Sequence, residues 1–230
     1  MTRGVLLALA ALAALAVAAT GSAASPTTSE CAGLQTCIDV PGPWVAVPAR
    51  GQASFLLDCP QRRGVVGGVD SLASSRDVHV TFDGLLGGPV APGRTTTRYA
   101  FFRAFSGRHV RGLFEPRIGC IPSSGGQRST TSARAVTPAG APVVLAAATL
   151  PLTPGTERHT TIGCANGSRL VDSWDATAFA ALTPPAPALA EAVRVQRTIR
   201  KGQVVVTFAA SETLPRSAHA LLQIGVVCAT

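Results

Sequence analysis

The chain has 230 residues, with 20 Lys and Arg against 12 Asp and Glu for a net charge of +8, and six cysteines. Beyond its first two dozen residues no stretch is long and apolar enough for the roughly 20-residue helical span of a bilayer. Only Lys201 is a lysine. An arginine excess with many alanines is what a GC-rich coding sequence produces, and it also suits an anionic partner.

The N-terminus reads as a secretory signal peptide over residues 1–24. Arg3 supplies the positive start, Val5 to Ala19 the apolar stretch, and Gly21 to Ala24 the small residues before cleavage. A retained anchor is the competing reading. Cleavage removes Arg3 and leaves 19 − 12 = +7. For an exported chain of this charge the expected partners are an anionic cell-wall polymer or lipid headgroups, not nucleic acid.

Residues 25–43 form a polar leader with a local Cys31–Cys37 loop, and prolines at 41 and 43 favour extended backbone. A first β module is expected over 44–122. Trp44 to Val47 and Ser54 to Asp58 are strand-like, and Val65-Val66 precede Gly67-Gly68, where a bulge fits. V-H-V-T-F at Val78 to Phe82 alternates strictly. Gly84 to Gly93 reads as a loop. In the strand from Arg98 to Phe105, Ala100, Phe102 and Ala104 share one face, and Tyr99, Phe101, Arg103 and Phe105 the other. Val110 to Ile118 closes the module. Residues 123–142, rich in Ser, Thr, Gly and Pro, read as a linker. A second β module follows over 143–230. It opens with Val143 to Leu150 and has a short helical turn after Pro185. Val193 to Ile199 and Gln203 to Phe208 then form a hairpin around R-K-G, with Gly202 available for positive φ. Leu221 to Val227 is the closing strand.

A duplicated cysteine frame organises these elements. At an offset of 105 residues, Val47 falls on Leu152, Leu57 on Ile162, Cys59 on Cys164, Val66 on Val171 and Asp70 on Asp175. The spans to the next cysteine are similar, 120 − 59 = 61 and 228 − 164 = 64. An even cysteine count in an exported chain reads as disulfides, and the frame selects Cys59–Cys120, Cys164–Cys228 and Cys31–Cys37. Short strands, many Gly and Pro turns and no amphipathic helix make the expected fold all-β, as two tandem immunoglobulin-like β-sandwich modules, each closed by one disulfide.

The segment C-P-Q-R-R-G-V-V-G-G, followed about 60 residues on by an apolar strand ending in cysteine, resembles a tandem module of secreted bacterial proteins with the pattern C-P-x-G-x-x-V-x-G-G. The first copy matches at Cys59-Pro60, Val66 and Gly67-Gly68, with arginine in place of the early glycine. The second keeps Gly167 and Cys228-Ala229 but lacks the proline and the double glycine. The resemblance implies a secreted fold and no enzymatic activity.

Chemistry is thinly signalled. The four histidines, 79, 109, 159 and 219, have no metal-ligand spacing, and no serine sits in a nucleophile elbow. Asp70 and Asp175 fall in different modules and read as turn aspartates. No catalytic residue, metal or cofactor is expected. Two basic clusters stand out: Arg94, Arg98, Arg103, Arg108 and Arg111 among aromatics, and Arg194, Arg197, Arg200 and Lys201 on the second-module hairpin. The latter four are the candidate anion-binding residues. The expected function is that of a secreted non-enzymatic protein binding an anionic surface component. The alternatives are a hydrolase with its site between the modules, and a structural extracellular protein with no ligand.

Overall fold

The computed structural model describes residues 37–60, 64–83, 89–91, 94–95, 98–107, 109–122, 143–165 and 167–229. The expected signal peptide, Cys31 and the expected 123–142 linker lie outside the described residues. Fifteen strands follow in chain order: β1 Ile38–Pro41, β2 Trp44–Val47, β3 Gln52–Asp58, β4 Gly64–Ala73, β5 Val78–Asp83, β6 Pro89–Ala91, β7 Arg94–Thr95, β8 Tyr99–Ser106, β9 Gly112–Pro122, β10 Val143–Pro151, β11 Glu157–Gly163, β12 Arg169–Phe179, β13 Val193–Arg200, β14 Gln203–Ala210 and β15 Ala220–Ala229. Part of the expected Gly84–Gly93 loop is thus the small β6–β7 ribbon. The expected helical turn is a 3-10 turn at Pro187–Ala192, with proline at its start, where a missing N–H costs nothing.

The protein is all-β, with two disulfide-closed β modules. In the first, β3-β8-β5 packs on β4, β9 and β2; in the second, β11-β14-β13 packs on β12, β15 and β10. The two modules share one seven-stranded sheet, because β2 pairs β12 through Val45↔Ala178 and Trp44↔Phe179. Side-chain alternation shows where the smaller sheets sit. Val45, Val47, Ala176 and Ala178 bury into one core with Phe55, Phe102 and Phe114. Trp44, Ala46 and Phe179 bury into the other with Val206, Phe208 and Ile224. The two three-stranded sheets therefore cover opposite faces of the shared sheet. All four residues of β2 are buried as a result, which accounts for the unbroken apolar run W-V-A-V. Each of the fully buried Phe102, Phe114 and Phe179 contributes about 2–3 kcal/mol by leaving water.

Cys59–Cys120 and Cys164–Cys228 tie each small sheet to the shared one, with Cα–Cα distances of 5.8 and 5.6 Å. Cys37 is disulfide-bonded, and its expected partner Cys31 lies outside the described residues.

The double glycine marks a bulge: the β4–β9 register shifts between Val66 and Gly68. A second bulge, between Leu170 and Asp172 of β12, has no glycine to announce it. It is the counterpart of the first bulge, and β12 on both sides of it runs one position short of the 105-residue correspondence. Val66 pairs Cys120, and Leu170, not Val171, pairs Cys228. Val171 is accordingly exposed while Val66 is fully buried, since a one-residue slip turns a side chain to the other face.

Candidate functional site

The predicted hairpin forms β13–β14. Arg200 pairs Gln203 across a two-residue turn in which Lys201 has φ 49° and Gly202 φ 74°. Two central residues at positive φ make a type I′ turn, whose twist matches the strands it joins. Alternation then sorts the side chains. Val204, Val206 and Phe208 of β14 face the core. Their β13 partners are Ile199, Arg197 and Val195, which therefore share the inward face. Arg194, Gln196, Thr198 and Arg200 project outward and are all exposed.

The expected four-residue patch is therefore corrected. Arg194 and Arg200 share the outer face and Lys201 stands at its tip, but Arg197 points the other way. Its Nη1 lies 3.1 Å from Asp175 Oδ1 and donates to the Ser173 carbonyl at 2.8 Å. Burial pushes the Asp175 carboxyl above the usual range, against the opposing pull of the Arg197 guanidinium. The outer face continues across β14 and β11 in register, through Thr207, His159 and Thr161. It is a polar surface carrying two guanidinium groups on one strand, six residues apart at about 3.3 Å each, or roughly 20 Å.

A second site lies between the modules, a cleft of about 400 Å³. Ser54, Phe101 and Arg103 form one wall, and Ala190, Val193 and Val195 the other, with β12 from Asp172 to Thr177 between them. The Arg103 guanidinium stands 5.4 Å from the Phe101 ring centroid, within cation–π range. Phe101 in turn meets the Trp174 ring edge-on, at 4.7 Å between centroids. Arg111, also on the cleft, pairs with Glu191 at 3.4 Å. The charges are nearly balanced, Arg103, Arg111 and Arg197 against Asp172 and Asp175.

The histidines stand apart from one another and from this cleft. His79 is on β5, and His109 contacts Arg50. His159 is on β11, and His219 ends a 3-10 turn at φ 43°. Asp70 and Asp175 do not converge either: Asp70 pairs across β9 with Arg117, while Asp175 faces Arg197. Among the described residues no cluster of three or more His, Cys, Asp or Glu could hold a metal, and no helix is long and apolar enough to cross a membrane.

One charged group was not anticipated. Arg117 Nη2 donates to Asp39 Oδ2 at 3.0 Å, and its Nε lies 3.9 Å from Glu115 Oε2. Glu115 is buried, and burial raises its carboxyl above the usual range, with Arg117 pulling it down and Asp39 pushing it further up. The alternation E-P-R on β9 places both residues on one face and was the available signal. In β8, burial and then the neighbouring Asp58 push the Tyr99 hydroxyl up to about 12. Compared with known proteins, the chain matches no family model, no curated protein and no solved structure.

Proposed function

We propose that this is a secreted, non-enzymatic protein of the cell envelope or extracellular space, built by duplication of one disulfide-closed module, that binds a phosphate-bearing anionic surface. The observation that carries the reading is the outer face of β13, where Arg194 and Arg200 are both exposed and Lys201 extends the same charge at the turn. Thr198, Gln196 and Thr207 between and beside them offer hydrogen-bond partners, and a carboxylate on the same face, Glu157, lies two strands from Arg194 across Ala209. Export is supported by the N-terminal apolar stretch and by the two disulfides, which persist in oxidising compartments. The resemblance to tandem secreted bacterial modules agrees with it.

The shared chemistry of a wall polymer and a lipid headgroup is a repeated phosphate. Binding is measured to a soluble polyol-phosphate polymer and, separately, to vesicles containing phosphatidylglycerol. The expected result is binding at low salt that weakens steeply as salt screens exposed charges over about 8 Å. The triple change Arg194→Ala, Arg200→Ala and Lys201→Ala should weaken it further, and Arg197→Ala should not. Absence of binding at low salt, or indifference to both salt and the triple change, refutes the reading. Which of the two probes binds identifies the source of the phosphate.

A further inference from the structure

We propose that one end of the first module docks on an anionic lipid surface, with Phe105 and Val110 entering the interface between headgroups and acyl chains. The site uses none of the residues on the outer face of β13 and does not rest on that reading.

Three turns meet at this end, over residues 48–51, 74–77 and 107–111. In the first, the Gly51 N–H donates to the Pro48 carbonyl at 3.1 Å; in the second, the Val78 N–H donates to the Ser75 carbonyl at 3.3 Å. The end of β8 ties them together. The Ser106 N–H donates to the Gly51 carbonyl at 3.0 Å, and the Gly107 N–H to the Asp77 carbonyl at 3.4 Å. Ser106 Oγ closes the third turn by donating to the Val110 carbonyl at 3.2 Å. Arg50 of the first turn contacts His109 of the third. The turns are thus held on a rigid scaffold, where binding residues are commonly carried.

The first support is apolar exposure. Val110 is 68% exposed and Phe105 49%, whereas Phe101 and Phe102 of the same strand are buried. A β carbon added at Gly107 would stand 3.8 Å from the Phe105 ring, so the ring borders the turn that carries Val110. Gln52 and His79, both exposed, flank Phe105 in register across the sheet. Exposed apolar groups rimmed by polar ones mark an interaction surface.

The second support is charge. The three turns carry Arg50, Arg76, Arg108 and Arg111 against one carboxylate, Asp77. Arg108 lies outside the described residues, and Arg111 is engaged by Glu191 at 3.4 Å. Arg50 and Arg76 are exposed. Near an anionic leaflet each arginine raises affinity roughly fivefold. Apolar burial adds to this, and salt does not screen it. A soluble polyanion offers phosphate but no apolar phase, so a bilayer alone of the two satisfies both halves of the patch.

The test uses the mature, disulfide-intact chain carrying Arg194→Ala, Arg200→Ala and Lys201→Ala, so that β13 contributes nothing. Affinity is measured by sedimentation with vesicles of phosphatidylglycerol and phosphatidylcholine, against vesicles of phosphatidylcholine alone. Binding that prefers the anionic vesicles is expected. Phe105→Ser with Val110→Ser should weaken it at least about tenfold, and Arg50→Asn with Arg76→Ala by a similar factor. Asn suits position 50 because φ there is 50°. Location is read separately through Val110→Trp. Its emission should shift to the blue and be quenched by lipids brominated in the upper acyl chain. Trp44 and Trp174, only 4% and 6% exposed, should stay unquenched. The proposal is overturned if the chain ignores anionic vesicles, if the double apolar change leaves binding intact, or if the tryptophan introduced at position 110 stays in water. Binding of the soluble polyol-phosphate polymer to the chain with an unaltered β13 should be indifferent to Phe105→Ser and Val110→Ser, which separates failure here from failure of the β13 reading.

Discussion

Gln223 joins the two modules as a strand joins a sheet. Besides its two bonds to Leu56, its Oε1 accepts from Trp174 Nε1 at 3.3 Å, and all of these groups are buried. Gln223→Leu would leave the Leu56 N–H and C=O buried without partners. At about 1–3 kcal/mol per stranded group, the expected loss is roughly 3 kcal/mol, measured by urea unfolding. Nearby, a methyl group at Gly225 would run into the Trp174 ring, so Gly225→Ala should cost about 1–3 kcal/mol by overpacking. Glu115 occupies the matching place in the first module, five residues before the closing cysteine as Gln223 is (120 − 115 = 5, 228 − 223 = 5). Its raised carboxyl has a definite consequence for stability. The folded state holds a proton that the unfolded chain has already released, so stability falls as pH rises from the ordinary glutamate value of 4.5 through the raised folded one. Glu115→Gln should remove that slope and raise Tm at neutral pH, with no gain below both values. A Tm series against pH checks this, and a variant with the wild-type slope would contradict it.

At the scale of elements, the β13–β14 hairpin was legible because its turn chemistry is local. Lys201 is a poor fit to φ 49°. Lys201→Asn, the residue this turn prefers, should add about 0.5 kcal/mol, whereas Gly202→Val should cost about 1–2 kcal/mol at φ 74°. Thermal unfolding of the two variants should move in opposite directions. The face division of β8 was legible too: Ala100, Phe102 and Ala104 are buried, and Arg103 and Phe105 exposed. The placement of Arg197 was missed although its signal was present. In V-R-V-Q-R-T-I-R the valines and Ile199 occupy odd positions, and Arg197 belongs with them. The bulge in β12 had no such signal, since Asp172 supports it with its own Oδ1, which accepts from the Ser173 N–H at 2.7 Å. No glycine was needed, and so none marked the place.

For the whole molecule, the cysteine frame made two modules and their bridges visible, because covalent closure shows in spacing. The joint between them was not visible, since the β2–β12 pairing links residues more than 130 positions apart (178 − 45 = 133) and leaves only the unbroken apolar run of β2 as a trace. The joint changes what unfolding should look like. Separate modules would melt in two steps. Here each core contains residues from both halves, with Trp44 in the second-module core and Ala176 in the first, so a single cooperative transition is expected. Removing Cys59–Cys120 by paired alanine substitution should lower that one transition by roughly 4 kcal/mol, the chain-entropy figure for a loop of this size. Calorimetry resolving two transitions would refute the coupling.

The β2–β12 joint has a polarity that bears on growth. It sets β2, an outer strand of the first unit's half of the sheet, against β12, the opposite outer strand of the second, while reversing strand direction and covered face, which is a screw motion and never closes into a ring. Repeated by further copies, it would draw out a fibre. Both borders of the described sheet differ from this joint. On β10 the residue in the position of Ala46 is Pro151, each lying opposite the seventh residue before its closing cysteine (113 and 221), and proline offers no amide to an incoming strand. On the free face of the first module, Glu115, Arg117 and Asp70 stand where the joined face has Gln223, Gly225 and Trp174. There Glu115 is buried beside Arg117, where the joined face has an uncharged carboxamide and an aromatic ring. The two outer borders of the described sheet thus differ from the joint by one proline and a small group of charges.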